Sequence, residues 1–324
     1  MRRTRLSLIR NHRAGRHTRR AGLGRVIGDI LTRPPSPQRV YDPETLEELE
    51  QQALKIHRDR PDILAIAGGD GTIHRALTAV LRHHEKEAAL PDLLVLPIGT
   101  MNNAAASFGC TKYPPVELAK RVAAKIEQGI PFDYVHAYPL QVNDEYGFLY
   151  GSALPVHLLE RYYEGGSTTG VFRSLQVVLK AVLDEVIGLL PRQTSHQLLT
   201  KPVRAKFILP NGFDDARAHE FVPYTGLMVA AIENVFVGCR ALPEARAIPG
   251  RFMLRATQLS FWGVIANLIR IWNGFSIPAT LDAVVPELVV EYDQPTVTTI
   301  DGDLNPPTMR DVIRCGPMMK VIVG

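Results

Sequence analysis

The aliphatic run Leu64-Ala65-Ile66-Ala67 breaks into Gly68-Gly69-Asp70-Gly71-Thr72, and helical spacing begins at Ile73. This reads as strand, glycine turn, helix. Glycines at such a turn let backbone N–H groups approach a ligand that a Cβ would hold off. The helix start behind them carries partial positive charge and N–H donors without intrahelical partners, which suits phosphate oxygens. Asp70 repels phosphate. Inside this loop it points to a metal, a water or a hydroxyl handled beside the phosphate.

The alternation continues on both sides of that turn. Residues 6–10 read as a strand, 46–57 as a helix behind the capping stretch Asp42-Pro43-Glu44-Thr45, and 62–67 as a strand buried on both faces. A helix over 72–84, a strand over 93–96 and a second turn, Pro97-Ile98-Gly99-Thr100, follow, with a helix from about Asn102. Strands alternating with helices predict a parallel sheet covered on both faces. Ligands on such sheets bind beyond the carboxyl ends of the strands, where both glycine turns fall.

After Gly129-Ile130-Pro131 the pattern changes to short alternating runs at 134–142, 147–153, 203–209, 226–232, 251–257, 287–291, 297–301 and 319–323. The expected architecture is an α/β nucleotide-binding domain over 1–131 and a mostly antiparallel β-sandwich domain with helical insertions over 132–324. A chain of 324 residues suits two domains of about 150 residues each. Two apolar helices interrupt the β pattern, 175–190 and 261–275, the first behind the Gly-rich loop 165–170. Core packing is the first reading of both. A greasy lid that admits a lipid chain or touches a membrane is the other.

Hydrophobic residues at 46% and charged residues at 22% are those of a globular protein. Nine arginines (Arg2, Arg3, Arg5, Arg10, Arg13, Arg16, Arg19, Arg20 and Arg25) precede the first acid, Asp29. They read as a solvated arm, a contact for anionic lipid headgroups or a phosphate clamp; a transit peptide ranks lower. Cys110, Cys239 and Cys315 form no C-x-x-C pair, which excludes a zinc framework and fits a reducing, cytoplasmic setting. The stretch 261–275 is too short to span a bilayer, which takes about 20 apolar residues. The ten histidines lack ligand spacing. Aromatic residues do not interleave with the basic arm, so nucleic acid is not an expected partner.

Three landmarks occur in order: Gly68-Gly69-Asp70-Gly71-Thr72, then residues 96–104 (Leu-Pro-Ile-Gly-Thr-Met-Asn-Asn-Ala), then Thr299-Ile300-Asp301-Gly302-Asp303. This set resembles the diacylglycerol kinase catalytic-domain family, which includes bacterial lipid kinases and, more distantly, sphingosine and ceramide kinases. The resemblance implies an active site in a cleft between the two domains, with ATP and Mg²⁺ as donor and a lipid alcohol as acceptor. It implies that Gly68, Gly69, Gly71 and Thr72 cradle the nucleotide phosphates. Thr100 and Asn102 would line the same pocket, and Asn11 and Gly15 match an early nucleotide-side motif. Asp301 matches the general base, and Asp70 and Asp303 are the candidate metal carboxylates. The chain departs from the family pattern at His12 for proline, Asn103 for aspartate and Asp303 for glutamate. It also has Ile248-Pro249-Gly250 where many members carry an aspartate that helps bind a structural metal.

Phosphoryl transfer needs placement, charge neutralisation and a group to take the acceptor's proton. Asp301 and Asp70 are rivals for that last role. The bland reading of Asp301-Gly302 is a hairpin turn. The function expected is lipid phosphorylation at a membrane surface, with a homodimer as the assembly allowed for. A non-catalytic nucleotide- or lipid-binding regulator on the same fold, and an NAD kinase, are the competing readings.

Overall fold

The computed structural model describes residues 4–11, 22–33, 38–84, 89–99, 101–164, 201–210, 220–235 and 238–324. The chain forms two compact units. The first comprises Met1–Pro139, Asp144–Gly147 and Pro317–Gly324; the second comprises Leu140–Asn143 and Phe148–Gly316.

The first unit begins β1 (Leu6–Arg10), α1 (Leu23–Leu31), β2 (Gln38–Tyr41), α2 (Leu46–Asp59), β3 (Ile63–Gly68), α3 (Asp70–Arg82), β4 (Asp92–Pro97), α4 (Asn103–Phe108), α5 (Pro115–Gln128) and β5 (Tyr134–Ala137). The chain then makes β6 (Leu140–Val142) in the second unit and returns for β7 (Glu145–Gly147). The second unit continues with β8 (Leu149–Ala153), α6 (Leu154–Glu164), β9 (Val203–Ile208), β10 (Val222–Tyr224), β11 (Gly226–Ala230), β12 (Phe252–Thr257), α7 (Phe261–Ala266), α8 (Leu268–Asn273), β13 (Thr280–Val285), β14 (Glu287–Ile300) and β15 (Asp303–Cys315). Finally β16 (Met319–Ile322) rejoins the first unit.

The first sheet has the order β2-β1-β3-β4-β16-β5. The pairs β1–β2, β1–β3, β3–β4 and β4–β16 are parallel, as expected from the βα alternation. Every residue of β3 is buried, as its unbroken aliphatic run requires. Helices α1 and α5 pack together, as do α2 and α3. The connection from β1 leads to one side of the sheet and the connection from β3 to the other. Such a reversal of strand order leaves a crevice at the carboxyl ends of those two strands.

Sequence and structure differ locally here. Helix α3 starts at Asp70, so the glycine turn is its first turn, with Gly69 as N-cap. Thr45, not a proline-led turn, caps α2 by accepting the Glu48 N–H at 3.2 Å. Helices α1 and α5 and strand β2 lie where the sequence analysis assigns nothing. Strand β16, expected in the β-rich half, pairs antiparallel with β5 and parallel with β4. With Met319, Val321 and Ile322 buried and Lys320 exposed, its pattern suits a strand of either sheet, so periodicity alone could not say which sheet it joins.

In the second unit the order β13-β12-β11-β8-β14-β15-β6 is antiparallel, with β9 on β14 and β10 on β9. Expected runs 287–291 and 297–301 are one strand, β14, interrupted by register shifts between Glu291 and Thr298. The bulged strand must bend sharply. Ile300 pairs with Tyr150 on β8, yet the Tyr150 hydroxyl lies 2.7 Å from that of Tyr292. A straight strand would separate Tyr292 from Ile300 by about 26 Å, more than two tyrosine side chains can bridge. The fold-over buries a polar chain. The Tyr150 hydroxyl donates to Asp311 at 2.7 Å, and the Tyr292 hydroxyl lies between it and Ser152, 2.7 Å from the Tyr150 hydroxyl and 3.1 Å from Ser152 Oγ. Asn143 donates to the same Asp311 carboxylate at 2.8 Å.

The expected helix 175–190 and the loop 165–170 lie outside the described residues. Stretch 261–275 is two short helices broken at Asn267, whose side-chain amide donates to the Gly263 carbonyl at 2.9 Å. No residue of α8 is buried, so core packing does not account for its apolar side chains.

Candidate active site

Asn11, at the end of β1, donates its backbone N–H to Ala67 O and its side-chain amide to Thr72 Oγ1 at 3.0 Å. Strand ends β1 and β3 are thereby stitched together at the crevice. Next to Asn11, Arg10 makes a bidentate pair with Asp42, at 2.6 Å through Nε and 2.5 Å through Nη2. Its guanidinium lies over α1, where a Cβ on Gly28 would come within 3.0 Å of Nη1 and one on Gly24 within 3.2 Å of Cδ. The sequence analysis placed Arg10 at the end of a strand and counted it among nine arginines read as a solvated arm, a lipid contact or a phosphate clamp. The available signal was the pair Gly24 and Gly28, one helical turn apart, which leaves room for a large side chain. Arg5 is also tied down, its backbone N–H donating to Asp62 at 2.8 Å.

The two glycine turns touch backbone to backbone. A Cβ on Gly99 would sit 2.3 Å from the Gly69 Cα, and one on Gly69 would sit 3.1 Å from the Gly99 Cα. A Cβ on Gly68 would fall 2.3 Å from the Thr72 Cβ. The Gly68 carbonyl accepts the N–H groups of Ile98 and Gly99, at 3.1 and 3.3 Å. Glycine is required here by the close approach of one turn to the other. Behind them the first-turn amides of α3, on Asp70, Gly71 and Thr72, have no intrahelical partner by helix geometry.

Asp70 closes the pair of turns from the inside. Its carboxylate accepts the N–H of Asn103 at 3.0 Å and that of Ala104 at 3.2 Å. Burial raises its pKa, and the amides of Asn103, Ala104 and Asn102 pull it back down. This is a use of the aspartate beyond the metal, water or hydroxyl that the sequence suggested: it satisfies the start of α4. Asn102 holds a left-handed backbone (φ 54°) and donates its side-chain amide to Gly99 O at 2.8 Å. Its Oδ1 is buried and has no hydrogen-bond partner among the described residues. A cradle of glycine backbone and a helix start fits a nucleotide phosphate. Thr100 and Gly15 lie outside the described residues, as do Arg16, Arg19 and Arg20.

Residues 5–133, which hold all of these turns, match the family model of the diacylglycerol kinase catalytic domain. Over those residues the chain is similar to the catalytic domain of that family. Two proteins called "Probable lipid kinase YegS-like", from Xanthomonas oryzae pv. oryzae strains MAFF 311018 and KACC10331, are each 26% identical to it over 276 residues. That alignment spans 83% of this chain and 81% of each relative. A crystal structure of a diacylglycerol kinase from Bacillus anthracis str. Sterne shares the fold with a TM-score of 0.66. At 14% identity it covers 99% of this chain and 97% of that one. The chain is therefore lipid-kinase-like.

The remaining family landmark lies in the second unit. Asp301 and Gly302 form the two-residue loop between β14 and β15, with φ of 50° and 91°. Two positive φ values are the mark of a type I′ hairpin, for which Asp-Gly is a preferred pair. The bland reading of the turn is thus correct as a description of the backbone. The side chain does more. Asp301 Oδ1 accepts the N–H of Leu149 at 2.9 Å, and Oδ2 accepts that of Phe148 at 3.0 Å. Its own N–H donates to Leu149 O at 2.8 Å. The carboxylate is thereby fixed in orientation at the strand end. Asp303, half-buried, opens β15 opposite Ile300.

Proposed function

We propose that the chain is an ATP-dependent lipid kinase that moves the γ-phosphate to a hydroxyl of diacylglycerol or a related long-chain lipid alcohol. The observation that carries this reading is the backbone-to-backbone contact of Gly69 and Gly99 at the β1/β3 crevice, inside the matched catalytic domain. The relatives' name supports a lipid as the acceptor.

In this reading Gly68, Gly69, Gly71 and Thr72 hold the phosphates through backbone N–H groups, and Asn11 fixes the Thr72 hydroxyl. Thr100, Asn102 and Gly15 complete the nucleotide side. Asp301 takes the proton of the acceptor hydroxyl as its oxygen bonds to phosphorus and the bond from phosphorus to the β-phosphate oxygen breaks. Mg²⁺, when bound, neutralises phosphate charge. It binds oxygen and takes only one or two protein carboxylates beside the phosphates. Asp303, at the start of β15, is the carboxylate this reading assigns to it. Asp70 would have to surrender the amides of Asn103 and Ala104 to serve as a direct ligand, so it fits as a brace for the two turns.

The decisive assay incubates the purified chain with labelled ATP, Mg²⁺ and a total lipid extract and identifies the labelled product by mass. A phosphorylated lipid is expected. ATP left unconsumed with every lipid, beside measurable nucleotide or lipid binding, would instead establish the regulator reading. The backbone N–H groups that already occupy the carboxylates of Asp70 and Asp301 are the observation that favours that alternative.

A further inference from the structure

In the second unit, α7 and α8 present a surface with no counterpart in the catalytic argument. Trp262, Leu268, Ile269, Trp272 and Phe275 are 43%, 40%, 78%, 45% and 60% exposed. Five large apolar side chains exposed within fourteen residues are unusual where single exposed ones are common. The stretch is well built for its exposure. Ser260 caps α7 by accepting the Gly263 N–H at 3.2 Å, and α8 ends in a left-handed Gly274. A Cβ at Gly274 would lie 3.0 Å from Pro243 Cβ, and Trp272 O accepts the Arg240 N–H at 3.0 Å, so the chain behind α8 anchors it from one side.

Charge decides what covers this face. Residues 245–281 contain Arg246, Arg251, Arg255 and Arg270 and no acid. Arg255 is spent on Asp282 at 2.6 Å, and the nearby Arg240 on Glu233 at 3.1 Å. Arg270 stands exposed on α8 among the apolar residues. A second copy of the chain docked by a two-fold axis would set the same patch against itself, arginine facing arginine with no acid in the stretch to pair with. An anionic lipid surface supplies the missing charge, and tryptophan rings with cationic side chains suit the headgroup boundary. No helix among the described residues is long and apolar enough to cross a membrane, so the contact is with the surface.

We infer that α7 and α8 form the element that docks this protein on an anionic lipid surface, with Trp262, Ile269, Trp272 and Phe275 entering the headgroup layer and Arg270 held at its phosphates. For its purpose this rests on the lipid-acceptor reading above; its evidence is independent of that reading.

The chain has two tryptophans, Trp262 and Trp272, and both lie here, so selectively excited tryptophan emission reports this surface alone. The full chain is titrated with vesicles of phosphatidylcholine containing phosphatidylglycerol and with vesicles of phosphatidylcholine only. A blue shift and co-sedimentation with the anionic vesicles, weakened by salt, are expected. Ile269→Ser with Phe275→Ser should weaken vesicle binding about tenfold or more, and Arg270→Glu by about tenfold. Circular dichroism and melting should stay unchanged, because these side chains are exposed. An emission unmoved by either vesicle overturns the inference. So does an emission shift that follows protein concentration alone with a dimer in sedimentation, which would give the face to a second copy. Turnover of detergent-dispersed lipid without vesicle binding would sink the surface and leave the kinase. Vesicle binding without ATP consumption would do the reverse.

Discussion

Asp70 and Asp301 both lie in glycine turns, and both present their carboxylates to backbone N–H groups, yet the turns are built differently. The Asp301-Gly302 hairpin is local. Two positive φ values between neighbouring strands make it, and Asp-Gly adopts them readily. The Gly68–Thr72 turn is not self-sufficient: it exists in this form because Gly99 packs on Gly69 and Asp70 binds the start of α4, 33 residues away. The first turn is therefore the more fragile in folding, and the second the better placed to lose chemistry without losing its shape. The substitutions that follow test that contrast.

The largest effect is expected at Asp301→Asn. Asparagine tolerates the left-handed backbone and keeps one acceptor oxygen, so the hairpin survives. Loss of a general base should cut kcat about a hundredfold or more, with ATP binding within a few fold, read by steady-state kinetics and nucleotide titration. Turnover that falls only in step with the folded fraction would reduce Asp301 to a brace.

Next comes Gly99→Ala. Its Cβ would meet backbone rather than a flexible side chain, so the two turns must separate. A loss of about 1–3 kcal/mol in denaturant unfolding is expected, with ATP affinity falling alongside. An unchanged midpoint would mean that the turns do not need each other.

Asp70→Asn sets an amide group against the N–H of Asn103 or Ala104 and should cost about 1–3 kcal/mol. Turnover per folded molecule then separates the rivals. Loss in Asp301→Asn alone keeps the base in the hairpin; loss in Asp70→Asn alone moves it to the first turn.

The smallest effect is on pH dependence, and its sign differs between two acids of the first unit. Glu145, beside His74 at 3.5 Å and Arg75 at 3.5 Å, has its pKa lowered, chiefly by the adjacent His74 ring. It stabilises the fold above the unfolded carboxylate value of about 4.3, and that contribution is lost as pH falls through the folded value. Asp70 is raised, chiefly by burial, so its contribution is present below about 3.9 and lost as pH rises through its folded value. Denaturant midpoints across the acid range should thus flatten on the acid side for Glu145→Gln and tilt the other way for Asp70→Asn. Equal slopes in the two variants would contradict both environments.

Much of this was legible in the chain itself. The buried run before Gly68 gave a strand, the turns after β3 and β4 gave the crevice edge, and Asp-Gly gave a hairpin. Asn11 and Thr72, matched only as motif positions, are bonded to each other. Other elements were illegible for definite reasons. Arg10 reads as one more arginine until Gly24 and Gly28 open a slot for it. Strand β16 has a burial pattern that a strand of either sheet could carry. The stretch 261–275 has the composition of a core helix, yet no residue of α8 is buried and Trp262, Leu268, Ile269, Trp272 and Phe275 are exposed.

What the amino-acid order determined alone is whatever acts over a few residues: periodicity, glycine turns, caps and the acid-free stretch around α8. Tertiary structure decided where each acid's oxygens go. Asp70 finds amides on α4, and Asp301 finds that of Leu149, 152 residues away in the chain. Such bonds depend on closing long loops, whose entropic cost is met by the packing of whole sheets. No short window of sequence carries that information.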